Sequence, residues 1–351
     1  MSAPEGALAA RAIRDHAAPL AEALVQREFA ARPDLAARFG PHGRAKSLED
    51  ASYHFAFLAQ ALELARPALF DGYIGWVKAL LAHRRVTPED LKHHLERMVE
   101  ALIASLPAGA AALAVDCVGE AIARLPRHPA SVDAALGRIP QRARDYLALM
   151  LALDAEGARR LVVDELRRGV GIGELYLQVL APAMHEVGLL WQAARISVAQ
   201  EHYCTGVTLT VAGELSASVH AVRAGRTAIV ACVSGEQHSL GSRMVADFLD
   251  LTGWRTLWLG ASTPTRDLLH MAEELDADLL AISCSYAPYL HDVAKLIAAL
   301  RAQPATRDVK VMVGGHAFAW CEGLWRDVGA DGYAEDAAQA AQCAHQLLAR
   351  A

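Results

Sequence analysis

From about residue 226 onward the chain alternates between two textures. Short β-rich runs at Thr227–Val233, Arg255–Leu259, Leu279–Ser283 and Val309–Val313 are separated by helical segments near 239–252, 265–275, 290–302 and 317–328. Strand–helix alternation of this kind predicts a doubly wound, Rossmann-like parallel sheet. In such sheets ligands gather beyond the carboxyl ends of the strands. The residues that follow each run are therefore the first candidates for chemistry. They are Ser234–Gly241 after the first, Gly260 after the second, Ser283–Ser285 at the end of the third, and Gly314-Gly315 after the fourth.

Everything upstream reads as helix, in keeping with an alanine- and leucine-rich chain. Between about 142 and 222 there are four helical stretches, the third ending near Trp191 and the fourth opening at Ser197-Val-Ala-Gln200, a capping-box pattern. That is the size of a small four-helix bundle. Over residues 4–124 apolar side chains recur at three- and four-residue steps, as in Ala51–Leu64 and Ile74–Leu81. Thr87-Pro88-Glu89-Asp90 marks a helix start, with a capping hydroxyl, a first-turn proline and two acids at the positive end of the dipole. Pro107 and Leu125-Pro-Arg-His-Pro129 break the pattern. The expected organisation is an N-terminal helical domain (1–125), a linker (126–141), a four-helix bundle (142–223) and the sheet domain (224–351), an α plus α/β multidomain chain.

Several function classes drop out on composition. A net charge of −6 does not suit a phosphate-backbone binder. No apolar run reaches membrane-spanning length, and the N-terminus lacks a signal-peptide layout. The six scattered cysteines show no paired metal spacing and read as reduced, cytoplasmic thiols. Gly169-Val-Gly-Ile-Gly173 follows a helix, so it is a turn and not a dinucleotide loop.

The densest chemistry lies in Ser234-Gly-Glu236-Gln-His238-Ser-Leu-Gly241. A histidine at a strand end, with an acid two residues earlier and a glycine three residues later, can bind a metal from below while a cofactor tail passes beside it. Glycines at these corners let backbone approach a bulky ligand where a side chain would clash. Together with the Ser283-Cys-Ser285 strand end and Gly314-Gly315, the Glu-x-His-x-x-Gly pattern resembles the cobalamin-binding domains of the methionine synthase and methylmalonyl-CoA mutase type. The resemblance implies that His238 ligates cobalt in place of the cofactor's own dimethylbenzimidazole. It implies that Glu236 orients His238 through the other ring nitrogen, and that Ser283 extends this relay. Gly241, Ser285, Gly314 and Gly315 would line the tunnel for the nucleotide tail, with Ser234 and Gly260 as further cofactor-binding positions. Aspartate is the commoner family acid at 236; glutamate is the variant associated with the photoreceptor branch.

A second signal is Pro182-Ala-Met-His-Glu-Val-Gly-Leu-Leu-Trp191 followed by Glu201-His202. Tryptophan offers a broad flat surface, and the acid–histidine pair can hold a ribose or adenine edge. The Trp-x9-Glu-His arrangement resembles the lid of CarH- and LitR-type B12 photoreceptors. This implies adenosylcobalamin, with its adenosyl group beneath Trp191, Glu201 and His202. One position departs: where CarH has a cobalt-capturing histidine after the tryptophan, this chain has Gln192, a poor cobalt ligand beside imidazole.

The first 124 residues lack the basic recognition helix of a DNA-reading winged helix. Extra helical domain, lid bundle and cobalamin domain together resemble the photocobilin subgroup, which implies biliverdin as a second chromophore. Tyr53-His54-Phe55, Phe70, Tyr73, Trp76, His83 and His93-His94 could line such a site, with Arg84-Arg85 for propionates. A globin-like haem domain using His54 or His93 competes for the same helices. The expectation is a non-enzymatic light sensor that binds adenosylcobalamin, forms a homo-oligomer with a light-dependent state, and signals through an effector or fused output domain, with no direct nucleic acid or membrane contact. The alternative is a corrinoid methyl carrier of a methyltransferase system; a mutase subunit would need a separate substrate-binding partner.

Overall fold

A computed structural model describes residues 2–84, 86–219 and 225–349. The expected bundle–sheet boundary at 223/224, and Arg85, lie outside the described residues. The chain forms two compact units, Met1–Ser131 and Val132–Ala351.

The first unit is helical: α1 (Ala3–Asp15), α2 (Ala17–Ala31), α3 (Asp34–Phe39), α4 (Gly43–Glu63), α5 (Pro67–Leu81), α6 (Pro88–Ser105) and α7 (Ala108–Arg124). Its core holds Leu20, Leu24, Phe55, Leu58, Leu62, Phe70, Ile74, Leu95 and Leu102, all essentially inaccessible to solvent. Helix α6 starts where its sequence says it should. Thr87 Oγ1 accepts from the Asp90 amide at 3.1 Å, and Asp90 accepts from the Thr87 amide at 2.9 Å. Arg32 and Arg38 close on the same carboxylate at 3.1 and 2.9 Å. The expected break at Leu125–Pro129 begins with a 3₁₀ turn, Leu125–Arg127, fixed by buried Lys78, whose Nζ donates to the Leu125 and His128 carbonyls.

The second unit begins with the bundle: α8 (Gln141–Leu151), α9 (Ala155–Arg167), α10 (Ile172–Leu175), α11 (Ala181–Gln192) and α12 (Val198–Ala217). A π-helical turn, Tyr176–Leu180, joins α10 to α11. Pro182 supplies a physical reason, since it has no N–H for the preceding turn and its ring crowds the carbonyl four residues back. Ser197 caps α12 in a reciprocal capping box with Gln200.

The sheet follows: β1 (Thr227–Cys232), α13 (Leu240–Leu251), β2 (Arg255–Gly260), α14 (Thr265–Glu274), β3 (Leu279–Ser283), α15 (Leu290–Ala302), β4 (Lys310–Gly314), α16 (Leu324–Asp327), β5 (Gly332–Ala334) and α17 (Ala337–Ala349). All strands are parallel, in the order β2-β1-β3-β4-β5. The order reverses between β1 and β3, which makes the crevice beyond their carboxyl ends the topological switch point. One core joins bundle to sheet: Leu175, Tyr176, Val179, Val211 and Leu215 pack with Met244 and Phe248 of α13 and Ala337 and Ala341 of α17.

Two expectations are corrected. The segment 317–328 is not one helix but a 3₁₀ turn, His316–Ala319, and the short α16, because Gly323 takes a left-handed conformation (φ 83°) between them. The sheet also has a fifth strand and a closing helix that the alternation pattern had not shown.

Candidate functional site

The loop after β1 carries the centre of the site. Glu236 is 1% exposed, whereas the His238 side chain is 74% exposed. Glu236 Oε1 lies 2.5 Å from His238 Nδ1 and accepts from the His238 amide at 2.9 Å. Its Oε2 accepts from the amides of Ser285 and Tyr286, at 2.6 and 2.9 Å, in the loop after β3. Burial alone would push this carboxyl up; the four hydrogen bonds outweigh it and hold it down at about 2. An ionised carboxylate only accepts, so Nδ1 carries a proton and donates. In the neutral ring Nε2 then carries the lone pair, which is the form that ligates a metal. The bond to Glu236 pushes the His238 pKa up, against desolvation, with smaller contributions from the charges of Glu236 and Glu201.

Neighbouring loops brace this one. Gly235, at φ 86°, donates its amide to Ser262 Oγ at 3.0 Å and lies against the Tyr289 ring, while the Ser262 amide donates to the Glu236 carbonyl at 2.8 Å. Ser234 is exposed beside them. Gly241, at the start of α13, faces open space. Gly260 ends β2 at φ 78°, where the β1–β2 register slips after Val230. At Gly315 (φ 100°) an added Cβ would lie 2.5 Å from the Cys284 carbonyl oxygen, and at Gly314 it would lie 3.0 Å from the Ala334 carbonyl oxygen. Gly315 is thus required by the chain's own packing, and Gly314 is tight against it, a different reason from ligand clearance alone. Ser283 also departs from expectation. Its hydroxyl engages the Cys232 thiol, and it is the backbone at Ser285 and Tyr286 that extends the Glu236 anchor.

The lid residues lie at one end of the bundle. Trp191 is half-buried in the last turn of α11. Glu201 and His202 lie in the first turn of α12, with Glu201 Oε2 2.5 Å from His202 Nδ1 and Oε1 accepting from Thr205 Oγ1 at 2.9 Å. Thr205 was not among the expected site residues, although its i+4 spacing from Glu201 marks it. His202 is 74% exposed, so its ring is presented outward. The Glu201 charge adds to the upward push on the His238 pKa, and the His185 charge to the downward push that burial gives His316. Gln192 is buried.

The ligand set fits a cobalamin: an exposed imidazole with one nitrogen already committed, open space at Gly241, and loops converging from β1, β2 and β3. No helix among the described residues is long and apolar enough to cross a membrane. Cys117, Cys204, Cys232 and Cys284 are buried free thiols.

Within the first unit the aromatic and histidine residues separate. His54 is buried and its Nδ1 lies 2.8 Å from Tyr73 Oη; burial, helped by the His94 charge, depresses its pKa well below the usual value. His94 sits edge-on to His54 at 5.1 Å and binds Glu28 through Nδ1 at 2.7 Å. Phe57 stacks on Tyr73 at 3.7 Å, and Trp76 lies beyond at 6.4 Å. Phe55 and Phe70 are core. Tyr53 and His93 are surface residues paired with Glu49 and Glu89, so His93 does not serve as an internal ligand. His83 and Arg84 are half-buried, and Arg84 Nη1 donates to the Leu80 carbonyl at 2.6 Å.

Residues 226–342 match a family described as a B12 binding domain, and residues 142–215 match a second family with the same description. Dimethylamine corrinoid protein 3 of Methanosarcina acetivorans is 30% identical over 194 residues, covering 53% of this chain and 87% of that protein. The HTH-type transcriptional repressor CarH of Myxococcus xanthus is 31% identical over 158 residues, covering 44% of this chain and 52% of that protein. The Methanosarcina barkeri monomethylamine corrinoid protein shares the fold, with a TM-score of 0.51 at 23% identity over 58% of this chain and 96% of that chain.

Proposed function

The chain belongs to the B12-binding corrinoid protein family, and we propose that within it this protein is a light sensor that binds adenosylcobalamin. The observation that carries the reading is the polar pair at the start of α12, just after α11 ends beyond Trp191: Glu201, braced by Thr205, holds an outward-facing His202. A ring and an acid–imidazole pair suit a sugar-bearing upper group better than a bare methyl. Bound adenosylcobalamin supplies a cobalt–carbon bond that visible light breaks. The chain's part is to hold and to respond. His238, aimed by Glu236, would hold the metal through Nε2, and Gly241 leaves open space nearby. Trp191, Glu201 and His202 would hold the nucleoside, so α11 and α12 are the elements whose packing, or an oligomer contact, would answer to its presence. Such a module is not an enzyme, and its signal passes to an effector or fused output domain.

The His54–Tyr73–His94 cluster supports biliverdin as a second pigment in the first unit, since buried imidazoles and stacked rings suit a planar tetrapyrrole. A second reading, a corrinoid methyl carrier in a methyltransferase system, is favoured by the length over which the dimethylamine corrinoid proteins match. Absorption spectra decide between them. On the first reading, protein loaded in darkness with adenosylcobalamin and biliverdin changes irreversibly in its cobalamin bands under green light and retains a far-red bilin band. Cobalamin photolysis without bilin uptake removes only the second pigment. Failure to take up adenosylcobalamin, with tight methylcobalamin binding, selects the methyl carrier.

A further inference from the structure

The face of α11 that carries Glu186 borders a groove of about 320 Å³, lined by Gly137, Ile139, Arg144, Leu147, Leu151 and Leu190. Its walls are mostly aliphatic. Glu186 is 4% exposed. One carboxylate oxygen accepts from the Gly137 amide at 2.7 Å, an approach made by the left-handed turn at Gly137 (φ 75°). The other, Oε2, is sealed from bulk solvent and has no hydrogen-bond partner. The nearest cation on the wall is turned elsewhere: Arg144 Nη1 donates to the Ile139 carbonyl at 2.6 Å, and Nε and Nη2 donate to Gln141 Oε1 at 3.2 and 2.8 Å.

A buried carboxylate with an unanswered oxygen is costly and seeks a donor, best of all a charged one. Aliphatic walls around it favour a donor carried on a hydrocarbon stem. We propose that this groove is a binding site for a primary ammonium on an aliphatic stem, with Glu186 as its counter-ion. The ammonium donates to Oε2, the stem lies along Ile139, Leu147, Leu151 and Leu190, and the Gly137 amide keeps the carboxylate in place. Nothing in this site is shared with Glu236, His238, Trp191 or the Glu201–His202 pair. The same chemistry is available from a free alkylamine or from a lysine side chain of another protein.

The test uses the full chain and n-butylammonium, followed by ligand-observed NMR or calorimetry, with n-butanol as the uncharged control. Saturable binding of the ammonium at least tenfold tighter than the alcohol is expected. Glu186→Gln should abolish that preference, and Ala148→Phe, at an exposed position on the wall, should block both probes without touching the buried carboxylate. An N-acetyl-lysine-methylamide arm separates the sources: tighter binding than n-butylammonium assigns the site to a protein side chain, and weaker binding assigns it to a free amine. Equal binding of ammonium and alcohol to the wild type, or unchanged ammonium binding in Ala148→Phe, overturns the proposal. So does no binding at all. These last readouts do not depend on how well Glu186→Gln folds.

Discussion

Replacing Glu236 by Gln keeps the shape of the side chain and removes half of its accepting capacity. The carboxylate serves four N–H groups, two on each oxygen. A glutamine has one carbonyl oxygen, so one pair must face an NH₂ group that cannot accept. If the carbonyl stays with Ser285 and Tyr286, the His238 amide loses its acceptor. The ring must then move its proton to Nε2, closing the nitrogen that would bind a metal. If the amide is flipped, His238 is served and the Ser285 and Tyr286 amides are left unpaired. A buried donor without a partner costs roughly 1–3 kcal/mol, so the substitution should cost about 2–4 kcal/mol. For a unit of this size that corresponds to a fall in melting temperature of roughly 5–15 °C. Lost orientation of the ring should weaken metal ligation by about 10–100-fold. Thermal unfolding followed by β-sheet amide exchange reads the first number, and titration with methylcobalamin, scored at the band that reports histidine ligation, reads the second. His238→Ala is the comparison: it should lose ligation, yet, because Glu236 keeps its three amide donors, melt closer to the wild type than Glu236→Gln. A Glu236→Gln protein that melts within 1 °C of wild type and ligates methylcobalamin within twofold would refute the reasoning.

Three other outcomes follow from the same coordinates. Asp90 is held well below the ordinary aspartate value of 3.8: burial opposes this, but hydrogen bonds from Arg38, Thr87 and Arg32 outweigh it. Its contribution to the first unit is therefore present above about pH 4 and lost as the pH falls below it, and Asp90→Asn should flatten that acid slope in urea titrations. Tyr176 donates to the buried Asp247, which otherwise has Arg243 at 3.1 Å. Tyr176→Phe should cost about 1–3 kcal/mol and raise amide exchange across α10–α12, with no change in exchange within α4–α6. Gly315→Ala, at φ 100° with the Cys284 carbonyl 2.5 Å from the new methyl, should cost more than about 2 kcal/mol, measurable as a lowered urea midpoint.

What could be read from sequence was whatever has a local cause. The capping hydroxyl at Thr87, the capping box at Ser197 and the four longer strands each follow from residues within a few positions of one another, as does the turn that opens at Gly169, although Gly173, expected within it, lies in α10. So did the acid–imidazole pairing of Glu236 with His238, which are two residues apart. The second half of that anchor was not legible, because the Ser285 and Tyr286 amides are backbone groups and every sequence has them. Ser283 drew attention by its side chain, while the working donors came from its neighbours' main chain. Tyr176 and Asp247 meet across 71 positions, a pairing that only the packing of α13 against the bundle creates. Strand β5 is three residues long, too short for any alternation to register. The glycine at 323 turned one expected helix into two short turns, since a left-handed residue ends helical continuity regardless of the apolar spacing around it.

The π turn between α10 and α11 has a consequence for how the lid is aimed. A π turn takes up one residue more than the α-helical repeat, so every side chain after Leu180 lies about 100° short of where a straight α-helical count from Ile172 would put it. Regularising the turn to α-geometry at full length would swing Trp191 by that angle, whereas deleting one residue between Ile172 and Pro182 would remove the extra residue and the wide turn together and leave Trp191 near its present bearing. The direction in which the tryptophan points thus depends on the width of one turn, and a change that tightened it at full length would re-aim Trp191 while leaving every expected site residue in the sequence.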